Sequence, residues 1–113
     1  IGVMVHKALQ AADNLRNDGI NATVIDMHTI KPLDTELLDK LSTKVSGIVT
    51  VEDHSVIGGL GSAVSEYLSE NNPTKIHKIG VRDRFGESGG SEELLDLVGL
   101  TVNSIESAAR TLL

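Results

Sequence analysis
The chain has 113 residues, with 16 acids against 10 bases for a formal charge of −6, a length that predicts one domain (1–113) burying roughly 65% of its unfolded surface. That acidity argues against a nucleic-acid binder, which needs a basic footprint, and Tyr67 and Phe85 are the only aromatics available for stacking on bases. The lack of cysteine excludes disulfides and cysteine–zinc sites, no apolar run approaches the ~20 residues of a membrane span, and a cytoplasmic setting fits.

In chain order, Ile1 to Val5 read as the end of a strand whose beginning is absent. Val5, Ala8, Leu9, Ala12 and Leu15 mark one helical face, with Gly19 placed as a left-handed C′ residue and Ile20 able to touch Leu15. Ala22 to Met27 read as a strand, and His28 to Pro32 as extended chain, since Lys31 precedes a proline. Asp34 is a suitable N-cap for a helix carrying Leu37, Leu38, Leu41 and Val45, with Lys40 and Lys44 near its end.

Ile48 to Val51 form an apolar, β-branched run suited to a parallel strand buried on both faces. Glu52, Asp53 and His54 follow where that strand should leave the core. Gly58, Gly59 and Gly61 then allow a tight turn into a helix that repeats Leu60, Ala63, Val64, Tyr67 and Leu68 and ends by Asn71-Asn72-Pro73. Ile76 to Val81 read as a further strand. Arg82 to Gly90 form a polar, glycine-rich loop, Ser91 starts a short helix ended by Gly99, and Asn103 to Glu106 resemble a capping box for a last helix with Ile105, Ala108, Ala109 and Leu112.

Alternation of this kind predicts an α/β fold, a mostly parallel sheet with helices on both faces. Right-handed crossovers then bring all strand exits to one edge. His28, Glu52, Asp53, His54, Arg82, Asp83 and Arg84 fall along it, and such an edge is where ligands or partners usually bind.

None of the chemistry that this edge suggests is complete. Gly59-x-Gly61 lacks the third small residue of a dinucleotide fingerprint, because Val64 stands there, so a packing turn is the better reading. Asp53, His54 and Ser55 are adjacent, which does not suit a nucleophile–base–orienter chain, and there is no Gly-x-Ser-x-Gly elbow. His28, His54 and Glu52 lack the spacing of metal ligands. Anion binding by Arg82 and Arg84 beside the helix starting near Gly61 competes with a salt-bridged loop involving Asp83 and Glu87, and the loop is the better reading. The sequence therefore predicts no catalytic, cofactor or metal residue of its own.

Three stretches carry a family resemblance: Met27-His28-Thr29-Ile30-Lys31-Pro32-Leu33-Asp34; Thr50-Val51-Glu52-Asp53-His54 through Gly58-Gly59-Leu60-Gly61-Ser62-Ala63-Val64; and Gly80-Val81-Arg82-Asp83-Arg84-Phe85-Gly86-Glu87-Ser88-Gly89. Their order and spacing resemble the C-terminal domain of transketolase, above all the separately encoded C-terminal section of split prokaryotic transketolases. Leu94-Leu95 and Gly99-Leu100-Thr101 extend the likeness over essentially the whole chain. Related domains close the β subunit of pyruvate-dehydrogenase-type decarboxylases and deoxyxylulose phosphate synthase.

The resemblance implies a three-layer α/β/α domain with a mixed sheet, belonging to an enzyme that moves a two-carbon ketol unit between sugar phosphates. Thiamine diphosphate and a divalent metal (Mg) are implied in the assembled enzyme, held mainly by the preceding thiamine-binding section, with none on this domain. Its implied role is assembly, with a regulatory ligand site also suggested for the family. Glu52, Asp53, His54, Gly58, Gly59, Gly61, Arg82 and Arg84 are then the expected partner or regulatory edge. Family domains begin with strands before the stretch matched by Gly2 to Val5, and here these are missing or cut short. The open strand edge this implies favours a homo-oligomer or a strand exchange.

Overall fold
The computed structural model describes residues 4–27, 32–55, 58–81 and 100–113, with the backbone alone at 53–55 and 81. Among the described residues six elements follow in order: α1 (Met4–Asn17), α2 (Thr35–Ser42), β1 (Gly47–Ser55), α3 (Leu60–Asn71), β2 (Lys75–Val81) and α4 (Val102–Thr111). None of the described helices is long and apolar enough to cross a membrane.

β1 and β2 pair in parallel, from Gly47 opposite Lys75 to Val51 opposite Ile79. Side chains alternate across the strands, so each face gets its own core. Val49, Val51 and Ile79 join Met4, Ala11, Leu100, Ile105 and Ala108 beneath α1 and α4. Ile48 and Ile76 join Met27, Leu38, Leu60, Val64 and Leu68 beneath α2 and α3. Helices thus cover both sides of a parallel sheet, the α/β/α arrangement that the βα alternation predicts.

Local signals set most element ends. Gly19 has φ +81°, and the N–H groups of Gly19 and Ile20 donate to the Arg16 and Leu15 carbonyls, closing α1 as expected. The Asp34 carboxylate accepts from the Leu37 N–H at 3.1 Å and starts α2. Side chains bind the outer layers together. Asn14 donates to Glu106 and Arg110 to Asp18, tying α1 to α4, while Tyr67 donates to Asp39 and Asn72 to Ser42, tying α3 to α2.

Four expectations need correction. Met4 and Val5 belong to helix α1, not to a strand; the helix that the apolar spacing marks from Val5 begins one residue earlier, at the buried Met4. Ala22 to Met27 make no strand pairing, because a groove of about 370 Å³, lined by Ile20, Val24, Ile25, Ile48 and Leu112 among others, separates the segment from β1. α2 stops at Ser42, leaving Lys44 and Val45 beyond it. The cap of α4 is Thr101, whose hydroxyl accepts from the Ser104 N–H at 3.1 Å, and Asn103 lies inside the helix. The helix expected from Ser91 and the extended stretch at His28 lie outside the described residues.

Candidate functional site
The expected edge starts inside the fold. β1 does not end after its apolar run but continues through Glu52 to Ser55. The ladder becomes irregular there: β1 goes from Val51 to Ser55 while β2 goes only from Ile79 to Val81, so β1 carries two extra residues. Such bulges bend a strand and redirect its side chains.

Thr50 and Glu52 share the sheet face turned towards α3, two residues apart. Both are buried, Thr50 at 5% exposure and Glu52 at 2%. This corrects the reading of Glu52 as a residue leaving the core. Its Oε2 accepts from the Gly61 N–H at 3.2 Å, in the first turn of α3. A carboxylate there satisfies a free N–H and meets the positive end of the helix. Its Oε1, like Oγ1 of Thr50, has no hydrogen-bond partner among the described residues. Sequence reasoning missed Thr50 and Lys78, which face each other across the ladder. The available signal was a hydroxyl in an apolar run, two residues before a buried acid.

The glycines divide their roles. Gly58 has φ +76°, the left-handed backbone that glycine adopts without penalty, and its N–H donates to Ser62 Oγ at 3.1 Å. Gly59 is the N-cap of α3 in an extended conformation, φ −98° and ψ −154°. Gly61 allows close approach: a Cβ there would stand 2.7 Å from Thr50 Oγ1 and 2.7 Å from Lys78 Cδ. The structure therefore brings together Glu52, Gly58, Gly59 and Gly61. The side chains of Asp53 and His54, and all of Arg82 and Arg84, lie outside the described residues.

This corner is a poor seat for a diphosphate. The Gly61 N–H already has an anionic acceptor, and Glu52 would repel a phosphate placed beside it. No three His, Asp or Glu side chains among the described residues stand close enough to hold a metal ion. The described residues therefore do not fit a thiamine diphosphate–metal group.

Residues 1–105 match the family model of the transketolase C-terminal domain. The chain belongs to that family. It is 47% identical over 108 residues to the 6-deoxy-6-sulfo-D-fructose transketolase subunit SqwH of Clostridium sp. (strain MSTE9), a match covering 96% of this chain and 34% of that protein. It is 46% identical over 113 residues to the 1-deoxy-D-xylulose-5-phosphate synthase of Gloeobacter violaceus, covering 97% of this chain and 17% of that protein. Among solved structures, a split-gene transketolase described as an inactive β4 tetramer superposes with a TM-score of 0.90 at 47% identity, covering 97% of this chain and 36% of that one. This transketolase C-terminal domain thus spans about a third of its transketolase relatives and less of the synthase.

Proposed function
We propose that this chain is the C-terminal assembly domain of a thiamine-diphosphate-dependent transketolase that transfers a two-carbon ketol unit between sugar phosphates. The observation that carries the reading is the 47% identity, along nearly the whole chain, to a transketolase subunit that is about three times as long. The remaining length of such a protein has room for the thiamine-binding section, which holds the cofactor and its Mg. This domain docks on that section and contributes to a homo-oligomer. The docking or regulatory edge is formed by Glu52, Asp53, His54, Gly58, Gly59, Gly61, Arg82 and Arg84. Glu52 holds its base from inside, and the chain alone is catalytically inactive. A second reading, the corresponding domain of a deoxyxylulose phosphate synthase, is favoured by the 46% identity to that enzyme.

Reconstitution tests both. The chain is mixed with the thiamine-binding section encoded beside it, thiamine diphosphate and magnesium are added, and each part is assayed alone and together. Ketol transfer in the mixture alone is the expected result. Deoxyxylulose phosphate formation in the mixture selects the second reading. Full transfer without this chain refutes the assembly role.

A further inference from the structure
We draw no further inference here: the strongest candidate, the apolar groove of about 370 Å³ between the segment from Ala22 to Met27 and β1, carries no proposal because nothing in the structure shows what covers it.

Discussion

Replacing Gly61 by alanine sets helix propensity against packing, and the two predict opposite signs. On propensity alone, alanine in a helix stabilises by about 1 kcal/mol relative to glycine. The structure leaves no room for the methyl group, which would stand 2.7 Å from Thr50 Oγ1 and from Lys78 Cδ. The lysine stem is flexible and can swing aside. Thr50 is buried and β-branched, so its rotamer has little freedom. Relief must come from lifting the first turn of α3, which stretches a Glu52–Gly61 bond already at 3.2 Å. Overpacking costs about 1–3 kcal/mol, and a weakened charge-assisted bond adds up to about 1.5–3 kcal/mol. Net destabilisation of about 1–3 kcal/mol is expected, read as a lower urea midpoint at unchanged slope and a melting temperature lower by about 4–8 °C per kcal/mol. Protein concentration must be held fixed, because an oligomer melts in a concentration-dependent way. Adding Thr50→Ala should recover part of the loss, with a coupling of at least about 0.5 kcal/mol. A Gly61→Ala chain as stable as the parent, or more so, would refute the close approach.

Tyr67, the sole tyrosine, donates to Asp39 at 2.7 Å; that bond, some desolvation and the Asp39 charge raise its phenol above the ordinary 10.0, against a smaller lowering by Thr35. An acid raised on folding favours the native state while protonated, so the stabilisation is complete below pH 10.0 and is lost as pH rises through the folded value. Titration followed at 295 nm should give a midpoint above 10.0 that falls in Asp39→Asn. Gly58→Ala should be less stable than Gly59→Ala by about 1 kcal/mol in urea unfolding, because only position 58 has a left-handed backbone. Asp34→Ala removes the cap of α2 and should cost about 1 kcal/mol in the same assay.

What the sequence disclosed was what short-range chemistry decides. Gly19 and Asp34 cap their helices through bonds three to five residues away, and the runs at Ile48 and Ile76 become the paired strands. Ala22 to Met27 have strand composition, but pairing depends on a neighbour within reach, and a groove lies between the segment and β1. Glu52 misled for a related reason: a charge after an apolar run reads as an exit, and the donor that permits its burial lies nine residues on, in the next helix. Among three nearby glycines, only the fold distinguishes the left-handed Gly58 from Gly61, where a side chain would collide. At the start of α4 the capping-box pattern pointed to Asn103, but the hydroxyl of Thr101, two residues earlier, accepts from the Ser104 N–H and makes the cap.

The two cores differ in how much chain each needs. The one beneath α2 and α3 draws on residues from Met27 to Ile76. The one beneath α1 and α4 joins Met4 to Ala108, and its cross-ties join residues 92 apart. A chain emerging from the ribosome can therefore close the first core while the second still lacks its last helix. Until Val102–Thr111 arrives, the parts of α1 and of the sheet that pack on Ile105 and Ala108 stay open, which gives a chaperone or a neighbouring nascent chain apolar surface to hold.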